Sequence, residues 1–444
     1  MSENSGSGEV TSSKGRVAFI HPDLGLGGAE RLIVDAAVGL QKRGYEVTIY
    51  TGYHNPSHAF PETVDGTLKV VPVCQWIPRT FLGRFVALCS YIKMIMIALY
   101  ISFLALLTSP SKRPQVIVCD QVSACIPALK LTPFIFSPKI MFYCHFPDLL
   151  QTSRATLLKK IYRAPLDFVE EFTTGLSDKI VVNSLFTKSV FQETFTRLHN
   201  QKIIPDVLYP SINTKLFDEA MKSKEALKEI NEMKLKKYTF LSVNRFERKK
   251  NLGLAIRTLR KLRTCVDSDQ MKQVQLVLAG GYDSRLEDSV KYLEELKGIA
   301  AEEGVVDQVT FVLSPKDDIK VHLISKCHAL LYTPSNEHFG IVPLEAMYMG
   351  KPVLAVDSGG PRETVVHEIT GFLCPSNEIH FAAGMATLIT EPGIKESMGV
   401  AGKARFMQKF SFEAFSKMWD DGVQKLVKEG EGTSTGKGGR SHVD

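Results

Sequence analysis

Arg16-Val-Ala-Phe-Ile-His-Pro-Asp-Leu-Gly-Leu-Gly-Gly-Ala-Glu30 contains, in one stretch, the pattern on which the whole chain is built. A short apolar run is followed by a turn of His, Pro, Asp and Gly, then by the start of an amphipathic segment. The same order recurs. Apolar runs at Arg16 to Ile20, Glu46 to Tyr50, Gln115 to Cys119, Lys139 to Cys144 and Lys179 to Val182 form a first set. A second set is Tyr238 to Val243, Val274 to Ala279, Val309 to Leu313, Ala329 to Tyr332 and Pro352 to Val356. Runs this short, rich in Val, Ile and Phe and separated by helical periodicity, predict parallel strands with crossover helices. Two sets predict an α/β chain of two Rossmann-like, doubly wound parallel-sheet domains facing a cleft. The expected limits are an N-terminal domain over 15–217 and a C-terminal domain with closing helices over 218–425, entered through the Lys/Glu-rich stretch Asp218 to Lys237. Residues 1–14 and 430–444, rich in Ser and Gly, are expected to be disordered tails.

Composition narrows the function classes. The chain has 444 residues, 44% hydrophobic and 23% charged, with 54 basic against 48 acidic side chains and a net charge of +6. No Lys/Arg run with interleaved aromatics occurs, so a nucleic-acid partner is not expected. The mild excess of base fits anionic small ligands or an anionic membrane surface. Eight cysteines are scattered without a Cys-x-x-Cys pair, several inside apolar runs, which reads as buried thiols in a reducing compartment. Pro56 blocks the one near miss to an N-glycosylation acceptor at Asn55, and the N-terminal residues have no basic-then-apolar signal pattern. The bulk of the chain is expected in the cytosol.

Phe85 to Leu107 departs from the pattern, being nearly all apolar with Lys93 as its only charge and flanked by Arg79, Arg84, Lys112 and Arg113. It is long enough to span a bilayer. A span would place the first two strands and the next three on opposite sides of the membrane, which one sheet cannot do. Bases at both ends give no side preference. The favoured reading is a helix that dips into or lies on a membrane face, the alternative a buried crossover helix.

Ligands of open α/β sheets sit beyond the carboxyl ends of the strands. The residues following the predicted strands include His21-Pro22-Asp23, Asp120-Gln121, His145-Phe146-Pro147-Asp148, Asn244-Arg245 and Asp357-Ser358-Gly359-Gly360. Gly25, Gly27 and Gly28 open the first helix, where backbone N–H groups can approach a phosphate or sugar closely. A dinucleotide fingerprint fails there, because Glu30 occupies its last position and Tyr50-Thr51-Gly52 replaces the expected acid. In the second half, Glu337-His-Phe-Gly-Ile-Val-Pro-Leu-Glu345 spaces two carboxylates along a loop that runs into a helix. Gly340 permits close backbone approach, and Ile341 and Val342 offer free N–H groups. Asn244-Arg-Phe-Glu-Arg-Lys-Lys-Asn251 supplies cations able to clamp a diphosphate.

Taken together these strings resemble the retaining family 4 glycosyltransferases of GT-B fold. Glu337 to Glu345 matches their Glu-x7-Glu signature, and Ser358-Gly-Gly-Pro361 also fits. The longer strings Cys119-Asp-Gln-Val-Ser-Ala-Cys125, Tyr143-Cys-His-Phe-Pro-Asp-Leu-Leu150 and Tyr332-Thr-Pro-Ser-Asn336 running on to Tyr348 are similar to the eukaryotic α-1,3/1,6-mannosyltransferases of asparagine-linked glycosylation. The resemblance covers about 16 to 425. It implies transfer of mannose from GDP-mannose to a dolichyl-diphosphate oligosaccharide, Man1GlcNAc2, at the cytosolic face of the endoplasmic reticulum membrane. It further implies that Arg245 and Lys250 hold the GDP diphosphate, Glu345 the ribose, and Gly340, Ile341 and Val342 the sugar or phosphate oxygens. Glu337 would lie near the mannose, and His145 would contact mannose or acceptor from the N-terminal domain. The expected catalytic set is thus Glu337, His145, Lys250 and Arg245, with Gly25, Gly27 and Gly28 as the acceptor or phosphate loop. No cofactor is implied. No Asp-x-Asp metal motif is read in the sequence, so no catalytic metal is expected. Membrane lipid and other mannosyltransferases of the pathway are further expected partners. Competing readings are a transferase for another lipid or soluble sugar, a nicotinamide oxidoreductase weakened by Glu30, and a dead scaffold, which would be expected to lack Glu337 or the cationic clamp.

Overall fold

The computed structural model describes residues 13–81, 85–131, 133–151 and 157–435. It contains two compact units. The first comprises the chain to Asn183, Thr187–Tyr209 and the residues from Phe415 onward, and the second Ser184–Phe186 and Pro210–Ala414.

The first unit is built on seven strands: β1 (Gly15–His21), β2 (Tyr45–Thr51), β3 (Lys69–Pro72), β4 (Val116–Asp120), β5 (Lys139–Cys144), β6 (Lys179–Val182) and β7 (Asp206–Val207). They lie in the order β3-β2-β1-β4-β5-β6-β7, and every pairing is parallel. The second unit carries β8 (Tyr238–Val243), β9 (Val274–Gly280), β10 (Val309–Leu313), β11 (Ala329–Tyr332), β12 (Val353–Val356) and β13 (Gly371–Cys374). Their order is β10-β9-β8-β11-β12-β13, again parallel throughout. In each sheet the winding reverses once, between β1 and β4 and between β8 and β11. Such reversals open a crevice at the carboxyl ends of the two strands, where ligands of doubly wound sheets bind.

Burial explains the strand composition. β4, β8, β11 and β12 are buried at every residue, because helices cover both faces and alternation has no exposed side to serve. The strands not foreseen, β3, β7 and β13, are two to four residues long. All three belong to the flanks of the sheets, where short and partly polar segments suffice.

The division of the chain differs from the expected 15–217 and 218–425. The second unit begins at Pro210, so the helices Thr214–Ala220 and Lys224–Glu232 belong to it. The last helix, Phe412–Thr435, returns to the first unit. Trp419 is fully enclosed there against Phe19 and Tyr143, with ring centroids 5.8 and 5.7 Å apart. Asp420 accepts a hydrogen bond from Tyr45 at 2.9 Å. A chain that crosses back to its first domain cannot be cut at one point, and sequence order alone gives no sign of the return. This helix also runs through 430–435, expected to be tail, whereas 436–444 and 1–12 fall outside the described residues.

The apolar segment is one helix, Val86–Leu107, of mean hydropathy 2.0. It has two apolar faces with different neighbours. Met94, Ile97, Ala98, Ile101 and Ala105 are buried in the core of the first unit. Leu88, Ile92, Met96, Leu99, Phe103 and Leu107 form an exposed stripe at steps of three and four residues. The buried-crossover reading is therefore partly realised, since the helix joins β3 to β4 with one face in the core, and its other face presents apolar surface outward. All eight cysteines are free, and seven are buried.

Candidate active site

The reversal of the second sheet joins the two halves of the Glu337 motif to the cationic stretch. After β8 the chain runs through Asn244 and Arg245 into a short 3-10 turn, Arg248–Lys250. After β11 it runs through Thr333 to Glu337 and then into the helix Ile341–Tyr348. Thr333 Oγ1 donates to the carbonyl of Lys250 at 2.7 Å, fixing the turn against the end of β11. Lys250 Nζ then lies 2.6 Å from Glu337 Oε1. Tyr332 OH donates to the other oxygen, Oε2, at 3.4 Å. Lys250 is mostly enclosed, with 11% of its side chain exposed, so this pair is more than a solvated surface contact.

The loop that carries Glu337 is backed by glycines. Gly360 N–H donates to the Glu337 carbonyl at 2.8 Å, and Ser358 Oγ accepts from Asn336 N–H at 2.9 Å. A Cβ on Gly360 would stand 2.1 Å from the Phe339 carbonyl oxygen, and one on Gly359 2.5 Å from that of Glu337. The Ser-Gly-Gly-Pro string is thus a brace that holds Glu337 to Phe339 in place. Gly340 has φ of 84°, and a Cβ there would press on the Tyr332 ring at 3.2 Å. Ile341 and Val342 open the helix behind it, where N–H groups lack intrahelical acceptors.

Glu345 projects from the same helix into the interior. Its Oε1 accepts from Lys320 Nζ at 3.1 Å, whereas Oε2 is buried with no hydrogen-bond partner. Burial raises the carboxyl pKa, and the Lys320 charge acts in the opposite direction. A buried oxygen without a donor costs about 1–3 kcal/mol, which a ligand hydroxyl could recover. Arg245 is placed otherwise. Its side chain is 65% exposed and paired with Glu247 at 3.0 Å, and no contact ties it to Lys250 or Glu337. On this one loop Lys250 thus pairs with Glu337 and Arg245 with Glu247.

In the first unit His145 follows β5 and lies with Nε2 2.8 Å from Asp120 Oδ1. Gly25, Gly27 and Gly28 line or adjoin a cavity of about 680 Å³ whose wall includes Glu30, Arg79 and Lys93. Nothing packs within 4 Å of a Cβ on Gly25 or Gly28, so packing does not demand glycine there. At Gly27 a Cβ would lie 2.1 Å from Glu30 Oε2. The carboxylate that breaks the dinucleotide fingerprint is folded over this loop, at the helix end where a phosphate would have to sit.

Several site residues escaped the sequence reading. Tyr332 was read as a strand member, Lys320 was not singled out, and Asp120 was noted only as a strand end. Their strand-end or helix-face positions become meaningful only once the neighbouring strand is known. The one Asp-x-Asp string, Asp267-Ser-Asp269, is a helix cap: Asp267 Oδ1 accepts from Gln270 N–H at 2.7 Å and Asp269 pairs with Lys272. Among the described residues, no group of three or more His, Cys, Asp or Glu side chains has the geometry to hold a metal ion.

The two units match two family models, Glycosyltransferase Family 4 over residues 26–215 and Glycosyl transferases group 1 over 223–405. The chain is 49% identical to the mouse protein named alpha-1,3/1,6-mannosyltransferase ALG2, over 93% of this chain and 96% of that one. It is 48% identical to the human protein of that name, over 96% and 100%. The Saccharomyces cerevisiae protein of that name is 39% identical, over 94% and 86%. Among solved structures, sucrose-phosphate synthase from Thermosynechococcus elongatus superposes with a TM-score of 0.68 at 20% identity, over 94% of this chain and 100% of that one. Anabaena HepE in complex with UDP-glucose gives 0.63 at 18% identity, over 93% and 100%. At these identities the likeness concerns fold, and the fold is GT-B.

Proposed function

We infer the reaction from one premise: the chain belongs to the alpha-1,3/1,6-mannosyltransferase ALG2 family. It is an alpha-1,3/1,6-mannosyltransferase of N-glycan precursor assembly. The donor in this reading is GDP-mannose, and the acceptor is a lipid-linked Man1GlcNAc2 diphosphate.

The observation that supports this most is the Lys250–Glu337 pair, 2.6 Å apart at the reversal of the second sheet. Lys250 has three N–H donors and commits one to Glu337, leaving the others for diphosphate oxygens. As the sugar–phosphate bond breaks, charge grows on the leaving diphosphate. A positioned cation there is worth about 3–4 kcal/mol, or 10²–10³ in rate. Arg245, on its exposed loop, would reach the diphosphate from the side, so this account asks no metal ion to neutralise it. Glu337 orients the mannose or faces the positive charge that develops at its anomeric carbon. Glu345 Oε2 would receive a ribose hydroxyl, and Gly340, Ile341 and Val342 would bind sugar or phosphate oxygens through their N–H groups. The acceptor attacks on the face that the diphosphate leaves, with the departing phosphate taking its proton. Positioning and electrostatics are then the protein's share. His145 and the cavity beside Gly25, Gly27 and Gly28 serve the acceptor side.

The exposed stripe of Val86–Leu107 suits a lipid-anchored acceptor. Each large apolar side chain taken out of water contributes about 1.5–3 kcal/mol, so six outweigh the ~1 kcal/mol per nearby base on an anionic surface. The helix Leu157–Thr174 adds exposed Leu157, Ile161, Phe168 and Phe172, and Phe85 and Tyr162 touch edge to face at 5.2 Å. In this reading the enzyme works at the endoplasmic reticulum membrane, with its catalytic units on the cytosolic face.

Purified protein given radiolabelled GDP-mannose and a synthetic lipid-linked acceptor should move label into the lipid phase, and UDP-glucose should not replace the donor. Label that stays in the nucleotide sugar with acceptor present would refute the assignment.

A further inference from the structure

Three neighbouring strands of the first sheet each end in one member of a buried polar cluster. β1 ends in His21, β4 in Asp120, and His145 follows β5. Asp120 is fully enclosed. Its Oδ2 lies 2.8 Å from His21 Nδ1 and its Oδ1 2.8 Å from His145 Nε2. An enclosed carboxylate is expensive unless paired, and here both oxygens are spoken for by imidazoles.

The protonation pattern follows from that geometry. Burial alone would raise the Asp120 pKa, but the charges and hydrogen bonds of His145 and His21 outweigh it and hold the group below the usual value. Asp120 is therefore an anion with no proton to give, and both ring nitrogens that face it must carry N–H. In the neutral ring of His145 this puts the proton on Nε2 and leaves a lone pair on Nδ1. His145 is also the one member of the three reached by solvent, at 19% of its side chain. His21 is fully buried, with Nε2 turned toward Glu30 Oε1 at 4.0 Å.

We propose that Asp120, backed by His21, is a positioning residue for mannosyl transfer. It locks His145 in the tautomer whose Nδ1 accepts a hydrogen bond from a hydroxyl of the carbohydrate substrate. The inference rests on the reading of His145 as a substrate contact. Asp120 touches no substrate and acts through the ring it holds. An amide at position 120 could turn its NH2 toward Nε2 and invert the tautomer, as an Asp-to-Asn change does beneath a catalytic histidine elsewhere.

The test is a double-mutant cycle on full-length protein in the transfer assay. Asp120→Asn should lower kcat about 10- to 100-fold with the GDP-mannose KM within about threefold. His145→Ala should lower kcat at least as far. The double variant should be no worse than His145→Ala, since the two act as one unit. Losses that multiply, or full activity in Asp120→Asn beside an inactive His145→Ala, would overturn the proposal and leave the reading of His145 standing. Full activity in His145→Ala would overturn both. As a check that needs no variant at position 120, 15N spectra of histidine-labelled wild type, assigned with His145→Gln, should show His145 protonated at Nε2 and bare at Nδ1. The opposite tautomer would count against the proposal.

Discussion

Lys250 Nζ and Glu337 Oε1 lie 2.6 Å apart although 87 positions separate them in the chain. The contact exists because β8 and β11 are neighbours at the reversal of the second sheet, so the loops that leave them share one crevice. If this pair handles the donor, Lys250→Ala and Glu337→Gln should each lower kcat/KM for GDP-mannose by about 10²–10³. The free protein should lose only a few degrees of Tm, since the pair sits on strand-end loops outside the core. Initial rates and thermal melts on the same preparations decide it. Near wild-type rates in either variant would remove the pair from the mechanism.

Glu345 offers a sharper binding test, because Oε2 is a buried acceptor without a donor. Saturating GDP should raise the Tm of wild-type protein, as any ligand of the native state does. In Glu345→Gln the carboxamide can present N–H where an acceptor is needed, and the GDP-induced shift should shrink markedly while the GDP-mannose KM rises about tenfold or more. An unchanged shift would mean that the ribose does not reach Glu345.

The apolar helix can be tested face by face. Ile92→Asp, Met96→Asp and Phe103→Asp together should release the protein from membranes into the soluble fraction with little change in Tm, because all three are exposed. Met94→Asp should instead unfold the first unit, since Met94 is fully buried in its core. Charges scattered over 94–99 on composition alone would confound the two effects, because Met94, Ile97 and Ala98 face inward. Membrane flotation and melting curves separate them. Retention of the triple variant on vesicles would rule the stripe out as an anchor.

His21 predicts a pH dependence of stability. Its ring faces Asp120 on β4 and Glu30 on the helix Gly28–Lys42, with His145 on the far side of Asp120. Burial opposes the charge, but hydrogen bonds and attraction from Asp120 and Glu30 prevail and raise the pKa from 6.5 to about 9. The folded state binds this proton more tightly than the unfolded state, so the stabilisation is complete below about pH 6.5 and is lost as pH rises through about 9. The difference in Tm between wild type and His21→Asn should be largest near pH 6 and should narrow toward pH 9.5. A difference that does not vary with pH would mean His21 is buried neutral.

Legibility differed by level. Ten of the strands announce themselves as short apolar runs, most plainly where the strand is buried on both faces, as in Val116–Asp120 and Tyr238–Val243. The edge strands β3 and β7 do not, because Lys69–Pro72 and Asp206–Val207 have no buried faces to fill with Val and Ile. The Glu337 to Glu345 spacing was readable because both acids flank one turn into one helix. Its cationic partner was readable as a cluster, in which Lys250 meets Glu337 and Arg245 meets Glu247. Residues whose role depends on a neighbouring strand left no local mark: Asp120 beside two histidines, Tyr332 against Glu337, Lys320 beneath Glu345. Glu30 was read as a defect in a nucleotide motif; in the fold it is a carboxylate laid over Gly27 and turned toward His21.

The central claim is that this single chain makes both linkages from GDP-mannose, using the site that holds Glu337. Its most direct test is linkage analysis of the products formed by purified wild type and Glu337→Gln from GDP-mannose and lipid-linked Man1GlcNAc2. The account predicts a wild-type product carrying both an α-1,3- and an α-1,6-linked mannose, and loss of both linkages in the variant. A wild-type product lacking either linkage, or a variant that still forms both at the wild-type rate, would contradict it.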